Sequence, residues 1–76
     1  MPGKREVMTD HLRPGTRVAW NTSQGETQGK VVRKLIEPCN IEGHHVAASD
    51  EEPQYLVESE KTGARAAHRP EALRPL

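Results

Sequence analysis

The sequence predicts a small all-β barrel of about five short antiparallel strands with a short C-terminal helical turn. Two strand-and-turn signatures carry this reading, Pro14-Gly15-Thr16-Arg17-Val18-Ala19-Trp20-Asn21 and Pro53-Gln54-Tyr55-Leu56-Val57-Glu58-Ser59-Glu60-Lys61-Thr62-Gly63. Each is a β-prone run bounded by the residues that end strands. A third observation agrees: every candidate helix is interrupted by Pro or Gly, so no long helix is expected.

Taken in order, residues 1–11 mix charges without periodicity and are expected to form a flexible arm. The barrel domain is then residues 12–76, with Val7 or Leu12 expected to fold back onto it. Pro14-Gly15 is a turn signal, because Pro presets φ and Gly takes a conformation that a side chain forbids. Thr16 to Trp20 alternates, placing Val18 and Trp20 on one face and Arg17 and Ala19 on the other. Asn21 to Thr27 reads as a polar hairpin loop around Gly25. Gln28 to Ile36 is the longest expected strand. Val31, Val32, Leu35 and Ile36 fit no single period of two, which calls for a bulge or bend near Arg33.

Pro38-Cys39-Asn40 is expected to break that strand, since Pro donates nothing to a ladder. Ile41 to His45 then forms a loop pivoting on Gly43, and Val46-Ala47-Ala48 a short third strand. After the acidic turn Ser49 to Pro53, Gln54 to Ser59 is a strand with Tyr55 and Val57 on one face and Leu56 on the other. Glu60 to Gly63 turns the chain, with Gly63 at positive φ, and Ala64 to His68 returns antiparallel. Arg69 to Leu73 forms one helical or 3₁₀ turn, with Leu73 and Leu76 plugging an open end of the barrel. Val18, Trp20, Val57 and Leu73 are the expected core.

With 76 residues, 33% hydrophobic and 3% aromatic, the chain supports one small core built around Trp20 and Tyr55. A chain of this size buries only about 60% of the surface its unfolded form exposes. Eleven basic residues balance eleven acidic ones. That balance removes the strong positive field on which non-specific nucleic-acid binding depends. Cys39 is the single cysteine, so no intramolecular disulfide forms and a reducing, cytoplasmic setting is the simpler expectation. No apolar run approaches the length needed to cross a bilayer, and the start of the chain lacks the apolar segment of a secretory signal.

Reactive constellations are lacking. Gly25-Glu26-Thr27-Gln28-Gly29-Lys30 resembles a phosphate loop but is one residue short between its glycines, and Val31 stands where a magnesium-binding hydroxyl is required. His11, His44, His45 and His68 have no cysteine or carboxylate spacing that completes a metal set, so no cofactor is expected. Cys39 has histidines nearby in sequence, but a barrel this small offers no deep cleft to exclude water. Asn21-Thr22-Ser23 fits a glycosylation pattern and is better explained as a turn.

Gly15-x-x-Val18-x-Trp20-Asn21, Gly29-Lys30-Val31-Val32, Ala48-Ser49-Asp50-x-x-Pro53-Gln54-Tyr55 and Lys61-Thr62-Gly63-x-x-Ala66-Ala67-His68-x-x-x-Ala72-Leu73 follow one another along nearly the whole chain. Together they resemble the hypervirulence-associated Tudor-domain family of bacterial-type proteins. The resemblance implies an SH3-like, Tudor-like barrel and no catalytic residue, because that family has no established reaction. The Tudor resemblance invites a methyl-lysine cage, but a full cage needs several rings around a cation, and this chain has Trp20, Tyr55 and no Phe.

The expected function is therefore a non-catalytic binding module for a peptide or protein partner. Within the matching motifs, Trp20, Asn21, Tyr55 and His68 combine aromatic or hydrogen-bonding capacity with positions at strand ends, and are the candidate ligand contacts. The alternative is a nucleic-acid-binding barrel using a local basic face, for which Arg17, Lys30, Arg33, Lys34, Arg65 and Arg69 supply phosphate contacts, with His68 beside them.

Overall fold

A computed structural model describes residues 12–76. The expected arm, residues 1–11, and with it His11, lies outside the described residues. The rest is all-β apart from one 3₁₀ turn at Pro70–Ala72. Seven strands occur among the described residues: β1 (Arg17–Thr22), β2 (Gly25–Leu35), β3 (Cys39–Ile41), β4 (His44–Val46), β5 (Gln54–Ser59), β6 (Arg65–His68) and β7 (Arg74–Pro75). Five of them form one antiparallel sheet in the order β6-β5-β2-β1-β7, and β3 pairs with β4 as a separate hairpin.

The sheet begins at a turn that its residues dictate. Pro14 precedes Gly15, whose φ is +92°, and the Thr16 N–H donates to the Arg13 carbonyl at 2.9 Å. Pro followed by a positive-φ Gly is the sequence of a type II turn. Beyond it, Val18 and Trp20 are buried as the alternation requires. Ala19 is also buried, at 1% exposure, although the alternation puts it on the polar face.

β1 runs through Asn21 and Thr22 into a two-residue turn, Ser23-Gln24, and β2 starts at Gly25, so the long hairpin loop expected over Asn21 to Thr27 does not form. The Thr22 hydroxyl explains the tightness. It accepts the Gln24 N–H at 3.0 Å and donates to the Gly25 carbonyl at 2.8 Å, while Gly25 takes φ +109°. Polarity here marks a wet hairpin and not a loop.

β2 ends at Leu35, leaving Ile36 45% exposed outside the strand. Its pairing with β5 shifts register between Val31 and Arg33, the irregularity that the broken alternation requires. The shift separates two apolar clusters. Val18, Trp20, Val31, Tyr55, Val57, Leu12 and Leu73 fill the inside of the curled sheet, with Ala66 against them. Leu35, Val46, Ala48 and Leu56 form a second cluster, with Val32, Cys39, Ile41 and Ala67 packed on it. As expected, Tyr55 and Val57 serve one cluster and Leu56 the other.

The segment after Pro38 departs most from expectation. Cys39 to Ile41 and His44 to Val46 are strands joined by Glu42-Gly43, not a break followed by a loop, and the strand expected at Val46 to Ala48 lies two residues earlier. Glu42 and Gly43 both have positive φ, 49° and 86°, the backbone of a two-residue hairpin turn. Each strand is too short to display a period. At the C-terminus the 3₁₀ turn forms and Leu73 is buried, but Leu76 is 53% exposed and plugs nothing. Its N–H instead donates to the Arg17 carbonyl at 3.0 Å, beside the unanticipated strand β7 on β1.

Trp20 shows how the sheet curls. β1 and β6 are not neighbours in the sheet, yet the Trp20 and His68 rings lie 5.7 Å apart at 40°. Gly29 makes room for this. A Cβ on Gly29 would overlap the Glu58 carbonyl and stand 2.8 Å from Trp20 Cη2.

Candidate functional site

Two hairpin turns stand at the same end of the barrel and enclose a groove of about 360 Å³. One wall is the β1–β2 turn, built on the Thr22 hydroxyl. The other is the β5–β6 turn, built on Ser59, which is 8% exposed. Ser59 Oγ accepts the Lys61 and Thr62 N–H groups at 3.2 and 3.3 Å, and its backbone carbonyl accepts the Gly63 N–H at 2.8 Å. Gly63 has φ +79°, as its place in the sequence predicts. Both walls are therefore fixed by local hydroxyl-to-backbone bonds and a positive-φ glycine.

Trp20 lies between the walls with Thr27, Lys61, Thr62, Arg65 and Ala66 around it. It is 6% exposed, so it offers an edge and not a face. Its ring rests on His68, which is half-buried, and burial pushes the His68 imidazole below its ordinary value of 6.5. A neutral His68 adds no charge to the site at pH 7.

Of the four residues singled out from sequence, Trp20 and His68 are in ring contact, and Tyr55 is the cross-strand partner of His68. Tyr55 is 1% exposed and belongs to the core. Asn21 is exposed and pairs with Glu26 across the hairpin, one residue beyond Trp20 and so on the opposite face of the strand. The fold thus gathers Trp20, Tyr55 and His68 and leaves Asn21 apart.

The basic residues divide in the same way. Arg17 binds Glu60 at 2.8 Å, Arg65 approaches Glu58 at 3.7 Å and Arg69 approaches Glu52 at 3.8 Å. Arg74 pairs with Glu26 on the groove's rim. Among the described residues, Lys30, Arg33 and Lys34 are exposed on β2 without a carboxylate partner, and Lys61 stands alone in the groove. No cluster of three or more metal-ligating side chains occurs among the described residues.

The family model of the hypervirulence-associated protein TUDOR domain matches residues 15–73 of this chain. The chain belongs to that family. The matched span runs from the Gly15 turn to Leu73 and so covers both groove walls. No curated protein and no solved structure matches the chain. Tudor-type domains are, as a class, small non-catalytic binding modules, and this one carries no helix long and apolar enough to cross a membrane among its described residues. Sequence reasoning passed over Lys61, Thr62 and Thr27. The signal for them lay in the two turns themselves, since a hydroxyl residue three or four positions before a glycine closes each.

Proposed function

We propose that this Tudor domain binds an extended, acidic peptide or protein segment in the groove between its β1–β2 and β5–β6 turns, and that it does so without catalysis. The observation that carries the reading is the groove itself: a fixed cleft with one aromatic edge, Trp20, and a cation, Lys61, that pairs with no carboxylate among the described residues. An apolar side chain of the ligand rests against Trp20 and Ala66, and a carboxylate pairs with Lys61. His68 is a positioning residue behind the Trp20 ring, and Tyr55 supports His68 from the adjacent strand.

A methylated lysine is disfavoured, because one ring edge beside an ammonium group offers no cage for a second cation. Nucleic acid is also disfavoured. Arg17, Arg65 and Arg69 are engaged by glutamates, and the remaining Lys30, Arg33 and Lys34 lie on β2, outside the groove lining. The lone cysteine is consistent with a reducing, cytoplasmic setting for the interaction.

The test is calorimetry of the full chain against acidic, neutral and trimethyl-lysine peptides of one length. Binding of the acidic peptide, lost in Lys61→Glu while the melting curve is unchanged, supports the reading. Preference for the trimethyl-lysine peptide, or binding indifferent to Lys61, overturns it.

A further inference from the structure

The five-stranded sheet has two edges, and they are treated differently. β7 is two residues long and carries Pro75, which donates no hydrogen bond, so that edge is blunted. β6 is the other edge. The Ser59 N–H donates to the Ala64 carbonyl at 2.8 Å, and Arg65 and Ala67 stand opposite Glu58 and Leu56. In an antiparallel ladder, hydrogen-bonded and non-hydrogen-bonded pairs alternate. The N–H groups of Arg65 and Ala67 therefore point away from β5.

What meets the first of them is a carboxylate. Glu42 Oε2 accepts the Arg65 N–H at 3.1 Å, in the position that a carbonyl of an added strand would take. Glu42 reaches it from the β3–β4 turn at φ +49°, a conformation that few non-glycine residues adopt. Beyond this bond a second groove, about 300 Å³, runs along the β6 edge between Ala67 and β4. Ile41, Val46 and Ala47 give it an apolar side, and His44, His45 and Arg65 a rim of basic type.

We infer that the β6 edge is a strand-addition site for an extended segment of small apolar side chains alternating with acidic ones. The added strand accepts the Ala67 N–H through its backbone. Its apolar side chains face Ile41 and Ala47, and its carboxylates meet the His44 and His45 imidazoles on the rim, Arg65 being held by Glu58. Main-chain bonds give such sites their affinity, and alternate side chains their selectivity. Glu42 holds the Arg65 end of the same edge and so sets where the added strand stops. This surface adjoins the Trp20 groove, with which it shares Arg65 and Ala66, and differs from it in using the outward N–H of Ala67.

The probe is an end-capped hexapeptide of alternating valine and glutamate, titrated into isotope-labelled full-length chain, beside the same peptide with alternate backbone nitrogens methylated. Saturable shifts of the Ala67 and His68 amides, abolished by methylation of the peptide backbone, support strand addition. Ala67→Pro removes the outward donor without touching the β5 ladder, and is expected to melt like the parent and lose the shifts. Equal binding of the methylated peptide, or shifts confined to the Trp20 indole and the Lys61 amide, overturns the proposal. Concentration-dependent protection of the Ala67 amide in the free protein does so too, because a second copy then holds the edge.

Discussion

The two apolar clusters lie on opposite faces of β5, yet they are built by different rules. Inside the curled sheet, Val18, Trp20, Tyr55 and Val57 occupy alternate positions of six-residue strands, and they are closed by a ring contact between β1 and β6. Under the β3–β4 hairpin, Leu56 of β5 is met by Leu35 from beyond a bulge, Val46 from a three-residue strand and Ala48 from a loop. A continuous ladder joins the strands of the first cluster, whereas the β3–β4 hairpin holds to the main sheet by side chains and the Glu42 bond. The first cluster therefore decides whether the domain folds, and the second whether one flank stays closed.

The largest expected effect lies in the first cluster. Val57 is 0% exposed, and Val57→Asp places a carboxylate with no partner in a core too small to accommodate it. That burial costs several kcal/mol or more, beyond the marginal stability of so short a chain. Loss of the far-ultraviolet β signal and of cooperative melting is expected. A normal melt would remove Val57 from its place at the centre of the fold.

Gly29→Ala comes next, because the added methyl meets a backbone carbonyl that is held in the β2–β5 ladder and cannot turn aside. Overpacking of this kind costs about 1–3 kcal/mol, and an unyielding neighbour puts Gly29 at the upper end. Denaturant titration measures it. A neutral result would mean that β2 and β5 separate easily beneath Trp20.

Val46→Ala addresses the second cluster. Val46 is 7% exposed, and removing its methyl groups costs about 1–2 kcal/mol. Local exchange is the sharper readout: amides of β3 and β4 are expected to lose protection while those of β1, β2 and β5 keep theirs. If all amides lose protection together, the two clusters are one cooperative unit and the contrast fails. Gly63→Val, at φ +79°, is expected to cost about 1–3 kcal/mol through backbone strain, with no change in the exchange of β3 and β4.

The smallest effect is on pH dependence. Burial holds the folded-state His68 imidazole below its ordinary value of 6.5, so the unfolded chain takes up this proton first as pH falls. Stability is full above 6.5 and declines as pH drops from there through the lower folded-state value. Thermal melts across that window should show a shallower slope for His68→Gln than for the parent chain. An unchanged slope would show that His68 is equally hydrated in both states, and so is not packed behind Trp20.

The same contrast explains how far the sequence could be read. A period of two over five or six residues locates β1 and β5 and assigns their faces, and Pro14-Gly15 and Gly63 locate the turns before and after them. The irregular run from Val31 to Ile36 reveals a bulge. By contrast, Cys39-Asn40-Ile41 and His44-His45-Val46 are shorter than any periodicity test, and their turn uses Glu42 where Asn or Gly would have signalled it. Of the candidate site, Trp20 and His68 were legible as members of matching motifs, but their contact joins strands that are not sheet neighbours. Asn21 shared a motif with Trp20 and, by strand alternation, shares no face with it.

Because the chain has one tryptophan, its spectrum contains a single indole N–H signal, and that signal reports on the floor of the proposed groove. Titrating the labelled chain with an acidic peptide selected by calorimetry tests groove binding most directly. The expected result is a saturable shift of the Trp20 indole together with the Lys61 and Thr62 amides. Saturable binding that leaves all three unmoved would contradict it.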